Sequence, residues 1–119
     1  MGITRLRGTA MGRSRATAYD NLVFAVATAG HAGPDLKAQT AAALADIEEA
    51  LGSAGSDRTR LLQATVYLSD IRRKAEMDEA WNAWIGPDPE TWPQRACVGV
   101  ALAPGDLVEI AVVAARAAG

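Results

Sequence analysis

Apolar residues along this chain switch between a period of two and a period of 3.6, and the switches divide it into strands and helices. Residues 3–7 alternate weakly, which predicts an edge strand, and residues 8–18 hold no clear period and read as loop or short strand. Leu22 to Ala29 is an unbroken apolar run after the turn-prone pair Asp20-Asn21, and reads as a buried strand. Gly30-His31-Ala32-Gly33-Pro34 interrupts it, and Asp35 is placed to cap a helix. From Leu36 to about Ser53 the period becomes helical. Leu36, Leu44, Ile47 and Leu51 make one stripe with Ala43 and Ala54 beside it, while Lys37, Asp46, Glu48 and Glu49 lie mostly elsewhere. Gly52 or Gly55 supplies the stop. Leu61 to Leu68 returns to period two, with Leu62, Ala64, Val66 and Leu68 facing one way and Gln63, Thr65 and Tyr67 the other. Asp70 then caps a second helix running to Ile85. Met77, Ala80, Trp81, Trp84 and Ile85 are its buried face, and Glu76, Asp78, Glu79 and Asn82 face water. Gly86-Pro87 ends it, and Asp88 to Thr91 is a polar loop.

The last part, Trp92 to Arg116, holds two apolar β-branched runs joined by Ala103-Pro104-Gly105-Asp106. Pro104 presets φ for a turn and Gly105 permits positive φ, so the chain is able to reverse there as a hairpin or tight connection. Two charges stand inside these runs, Arg95 and Glu109. A charge in a core strand is costly unless it is paired or faces a cleft, which makes them the first residues to explain.

The order β(β)αβαββ, as one domain over residues 1–119, predicts an α+β fold with two helices on one face of a sheet. Leu22–Ala29 and Leu107–Ala115 are nonetheless apolar at both parities. A sheet face left open with that much apolar surface is an aggregation liability, so a homo-oligomer that packs these faces together is expected.

Composition narrows the class. At 119 residues and 12.4 kDa the chain has ordinary single-domain size, and its 22% charged residues are an ordinary balance for a water-soluble protein. A net charge of −2 gives no electrostatic case for nucleic acid or an anionic membrane as partner. The charge is uneven: Arg5, Arg7, Arg13 and Arg15 sit in residues 1–19 without an acid. That basic start lacks both the amphipathic stripe of a transit peptide and the apolar stretch of a signal peptide. No stretch reaches the roughly 20 apolar residues of a membrane span. One cysteine, Cys97, excludes an internal disulfide and fits a reducing, cytoplasmic setting.

Arg95 reads either as a strand-end arginine paired for solubility or as an anion clamp, whose fork matches a carboxylate bidentately as lysine cannot. Glu109 reads either as a structural partner or edge charge, or as a carboxylate that positions a water. Cys97, two residues after Arg95, shares its strand face and reads as a small buried hydrophobe. His31 is the only histidine, so neither a nucleophile–base pair for the cysteine nor a metal cluster is at hand. No phosphate loop is present, and no nucleotide, haem, flavin or metal cofactor is implied.

Pro93-Gln94-Arg95-Ala96-Cys97-Val98, followed by Leu102, Gly105 and Val108-Glu109-Ile110, resembles the C-terminal signature of the RidA (YjgF-type) reactive-intermediate deaminase family. Leu62 to Ile71 and Met77 to Trp84 also resemble that family at matching spacing, so the likeness spans roughly residues 16–116. It implies a chorismate-mutase-like fold assembled as a homotrimer, with three clefts between subunits. By the same resemblance Arg95 falls where the family's substrate-carboxylate arginine sits, Glu109 at an acidic position near the cleft, and Cys97 on the pocket wall. Gly30 belongs to the pocket-lining loop, and His31 is a departure where the family often carries glutamine. Arg15-Ala16-Thr17 matches a segment that often sets an aromatic or Met against the ligand, so Ala16 leaves the pocket roomier or lined by Tyr19 instead. The activity implied is hydrolysis of short 2-imino or enamine acids to 2-oxo acids and ammonia. Two further readings stand beside it: a regulatory trimer that binds small carboxylates without useful turnover, and a purely structural or holdase-like protein.

Overall fold

The computed structural model describes residues 2–117. Its strands are β1 (Thr4–Arg7), β2 (Ser14–Tyr19), β3 (Leu22–Thr28), β4 (Leu61–Leu68), β5 (Gln94–Gly99) and β6 (Val108–Ala115), and its helices are α1 (Leu36–Ser53) and α2 (Lys74–Ile85). They form one six-stranded sheet in the order β1-β2-β3-β6-β4-β5, mixed because β4 and β5 run parallel. Both helices lie on one face, as the order of elements predicts. Among the described residues no helix is long and apolar enough to cross a membrane.

Helix α1 forms where the stripe requires it. Asp35 accepts from the Lys37 N–H at 3.3 Å, filling one of the orphan donors of the first turn. Leu36, Ala43, Leu44, Ile47 and Leu51 are buried against the sheet, and Gly55, at φ 86°, turns the chain away. Facing them are the inward positions of the strands, Ala16, Ala18, Val23, Ala25, Ala64, Val66, Leu68, Val108, Ile110, Val112 and Ala114. Most of these strand residues are small, which lets a long helix approach the sheet closely.

Four expectations change. Trp92–Arg116 is not a hairpin. The Ala103–Asp106 turn forms, with the Asp106 N–H donating to Ala103 O at 3.0 Å and Gly105 at φ 88°, but β5 and β6 stand on opposite sides of β4. The β4–α2–β5 crossover makes β5 a parallel edge strand, and the turn carries the chain back past the end of β4. Second, Leu62 is 51% exposed while Leu61 is buried, because a bulge between Leu61 and Gln63 shifts the facing of the strand start. Third, Asp70 caps a short 3₁₀ turn, Ile71–Arg73, and α2 begins only at Lys74. Fourth, Asp78 does not simply face water; it is half-buried under an ion pair.

Among the described residues no helix covers the far face of the sheet. Leu22, Phe24, Val26 and Val98 are exposed there, beside the half-buried Ala111, Val113 and Ala115. The bulge is open to a direct test. Leu61→Ala is expected to cost about 2–5 kcal/mol in denaturant titration, and Leu62→Ala under about 1 kcal/mol. Strict alternation along β4 predicts the reverse ranking.

Candidate functional site

Arg95 roots on the helix-covered side of β5, opposite Ala64, and its side chain is 19% exposed. Gly99 lies two steps beyond Cys97 on the same side, where an added Cβ would stand 2.9 Å from Ile71 Cβ. That close approach seats the 3₁₀ turn ahead of α2 against β5, and Met77, Asp78 and Trp81 of α2 lie over the arginine. Nη2 of Arg95 donates to Asp78 Oδ1 at 2.7 Å, Nη1 lies 3.9 Å from Met77 Sδ, and the guanidinium carbon stands 5.1 Å from the Trp81 ring centroid. A cation over an indole face is an attractive pairing, so the group is oriented on two sides. Lys74 Nζ takes the other Asp78 oxygen at 2.7 Å. Burial works to raise the Asp78 pKa, but the bonds from Lys74 and Arg95 outweigh it and hold the carboxyl below its usual range.

Cys97 shares the face of Arg95, as parity requires. Burial pushes its thiol pKa up, against the opposing charge of Arg95. A thiol held protonated is a poor nucleophile, which fits wall rather than chemistry.

Glu109 stands on the other face. It lies between Thr28 and Tyr67 across the ladder and opens into a groove of about 860 Å³ shared with Arg7, Arg13, Arg15 and Asp106. Gly30 belongs to the same end of the sheet, where a Cβ would meet Asp106 Oδ1 at 2.6 Å and would have to push that carboxylate aside. His31 follows in the same turn and is exposed. Register puts Glu109 and Arg95 two strands apart and three residues out of line, roughly 10 Å across and about 10 Å along, on opposite faces.

The other candidates do not join them. Ala16 is 3% exposed and points into the core, so within this chain it lines no open pocket. Tyr19 is exposed on the open face, level with Ala115 through Leu22 and therefore about 20 Å along β6 from Glu109. One chain thus gathers Arg95 with Cys97 at the β5 edge and Glu109 with Gly30 and His31 at one sheet end. Among the described residues no three His, Cys, Asp or Glu side chains are grouped to hold a metal.

Sequence reasoning missed Gln39. It is fully buried, and its Nε2 donates to Gly33 O at 2.7 Å and Gly105 O at 2.9 Å while its Oε1 accepts from Leu107 N–H at 2.9 Å. One amide therefore ties the Gly30 loop to the turn before Glu109. The signal was present: Gln39 falls three residues after Leu36, on the apolar stripe of α1. Asp78 was missed because its helix position borders both faces.

The family model described as Endoribonuclease L-PSP matches residues 11–116. The chain belongs to the YjgF/RidA family. Among curated YjgF/RidA relatives, the RutC family protein YoaB of Escherichia coli is 34% identical over 98 residues, covering 82% of this chain and 84% of that one. A RutC family protein of Haemophilus ducreyi is 38% identical over 82 residues, 68% of each chain. TdcF of Escherichia coli, provisionally named a reactive intermediate deaminase, is 28% identical over 90 residues, 75% of this chain and 70% of its own. In fold, this YjgF/RidA chain is similar to NMB1025 of Neisseria meningitidis, at TM-score 0.90 and 34% identity over 100% of this chain and 98% of that one.

Gln39→Leu keeps the side chain's bulk but strands two carbonyls and one N–H. A loss of about 3 kcal/mol or more is expected, since each of the three orphans costs roughly 1–3 kcal/mol. Amide exchange at Leu107 should accelerate beyond the general rise, because its acceptor is gone; equal acceleration everywhere would leave Gln39 a generic core residue.

Proposed function

We propose that this YjgF/RidA protein hydrolyses short 2-imino acids to 2-oxo acids and ammonia, at sites completed between the chains of a homotrimer in the cytoplasm. The observation that carries the reading is Arg95: a mostly buried guanidinium on an edge strand, oriented by Trp81 and by a single Asp78 oxygen, with N–H groups to spare. A guanidinium has five N–H donors in a fork that suits a planar carboxylate. The provisional name of the relative TdcF supports the same chemistry. With a net charge of −2 the chain has no long-range pull on a phosphate backbone, so imine chemistry is preferred to the RNA cleavage in the family model's description.

Arg95 would hold the substrate carboxylate and so orient C2 toward a water, with Cys97 as adjoining wall. Glu109 would align that water or meet the protonated nitrogen, with Gly30 and His31 beside it. Arg95 and Glu109 stand on opposite faces of one chain, so a small ligand reaches both only if a second copy brings its Glu109 to the β5 edge. The uncovered apolar face supplies the reason for copies to associate. Imines hydrolyse unaided, and orientation with charge stabilisation of about 4 kcal/mol gives roughly a thousandfold.

The separation of Arg95 from Glu109 also favours a second reading, a trimer that binds small carboxylates at Arg95 without turnover. Freshly generated 2-iminopropanoate decides between them. Ammonia release above the spontaneous rate supports hydrolysis, and binding without release supports the second reading. Under hydrolysis, Arg95→Lys should lose most kcat/KM with unchanged circular dichroism, and Glu109→Gln should lower kcat by roughly 10²–10⁴ with product affinity nearly kept. Near-normal kinetics in either variant removes that residue's role. Light scattering is expected to give about three times the 12.4 kDa chain mass; a monomer at micromolar concentration removes the shared site.

A further inference from the structure

Arg95, the residue assigned to the ligand's carboxylate, already holds a carboxylate. Asp78 Oδ1 sits 2.7 Å from Nη2, with Arg95 19% and Asp78 28% exposed. A guanidinium offers a carboxylate two bidentate edges, Nε with Nη2 and Nη1 with Nη2, and Nη2 belongs to both. Nη2 carries one N–H for each edge, so a ligand in the edge that Asp78 uses must replace it, and a ligand in the other edge brings a second negative oxygen to the same nitrogen. Like charges at that range repel strongly where water is partly excluded.

The other Asp78 oxygen is bound to Lys74 Nζ at 2.7 Å, one helical turn away on α2. Stripping one partner from a partly buried ion pair normally leaves a costly orphan charge. Here it does not, because Asp78 keeps Lys74 when Arg95 leaves. Arg95 likewise keeps the Trp81 face and gains the ligand in place of Asp78. Each partner of the pair thus has a second partner at hand, and the exchange leaves no charge alone.

We propose that Asp78 is a resident competitor for the ligand's carboxylate: ligand enters by displacing Asp78 from Arg95 onto Lys74, and Asp78 thereby sets the affinity of the site. It acts through Arg95 and touches no reacting atom, so it is a positioning residue. The inference rests on the reading of Arg95 as a carboxylate clamp. It leaves the empty site with one carboxylate shared between two cations, and selects against weak or adventitious anions that cannot win the exchange.

Affinity for pyruvate, measured by calorimetry on the assembled protein, tests it. Asp78→Asn keeps the shape and removes the competing charge. Binding is expected to tighten by about tenfold, as for any site whose competent fraction rises, with KM for 2-iminopropanoate falling and kcat changed little. Glu79→Gln removes the same charge from the same helix, where it pairs with Lys37, and is expected to change pyruvate affinity by less than about twofold. Arg95→Gln should abolish binding, and Asp78→Asn added to it should restore nothing. Unchanged or weaker binding in Asp78→Asn, with Arg95→Gln still inactive in binding, overturns the competitor and leaves the clamp intact. Wild-type affinity in Arg95→Gln overturns the clamp and the competitor together. Should Asp78→Asn not fold, crystals of the unaltered protein soaked in pyruvate give the answer. Arg95 Nη2 should be out of hydrogen-bond reach of Asp78 with the Lys74 pair kept, and a retained Arg95–Asp78 bond beside bound pyruvate overturns the proposal.

Discussion

Two helices are enough to cover one face of a six-stranded sheet and no more. That constraint governs the rest of this structure. The covered face takes Val23, Ile110, Val112 and their neighbours into the core, and the uncovered face leaves Leu22, Phe24 and Val26 in water. Because strand side chains alternate, every residue of β5 and β6 is assigned to one world or the other by parity alone. Arg95 goes to the helix side, where Trp81 and Asp78 receive it, and Glu109 goes to the open side. The candidate site is therefore divided by the sheet itself.

This division makes association and chemistry one question. Burying the open face removes apolar surface from water at about 25 cal/mol per Å². The same act is what would carry a Glu109 from one copy to an Arg95 on another. Gln39 prepares one half of that meeting by joining the Gly30 loop to the turn ahead of β6. Gly99 prepares the other by letting the turn ahead of α2 settle against the β5 edge. Neither residue needs to touch a ligand, and both fix the geometry from which one is approached.

The helices and most strands were legible because their periods are clean: α1 begins and ends where Asp35 and the Leu36–Leu51 stripe say it does. The pairing of Trp92–Arg116 was not, because a turn sequence specifies a reversal but not which strand lies next to which. The insertion of β4 between β5 and β6 is decided by the α2 crossover, a long-range preference with no local mark. The bulge at Leu61 escaped for a similar reason, since the alternation from Leu62 is unbroken on paper. Arg95 and Glu109 were conspicuous as charges in apolar strands, yet their facing depended on that unread pairing. Asp78 was invisible as a partner, because a carboxylate on a helix flank looks the same whether water or Arg95 meets it.

The central claim is that Arg95 of one copy and Glu109 of another serve the same ligand. Mixing two inactive chains tests it most directly: Arg95→Gln and Glu109→Gln proteins, unfolded together in equal amounts, refolded and assayed with 2-iminopropanoate. Random assembly should rebuild about one site in four from an intact Arg95 and an intact Glu109 on different chains, restoring about a quarter of wild-type activity. If both residues act from the same chain, no site is ever whole, and a mixture as inactive as its parents contradicts the account.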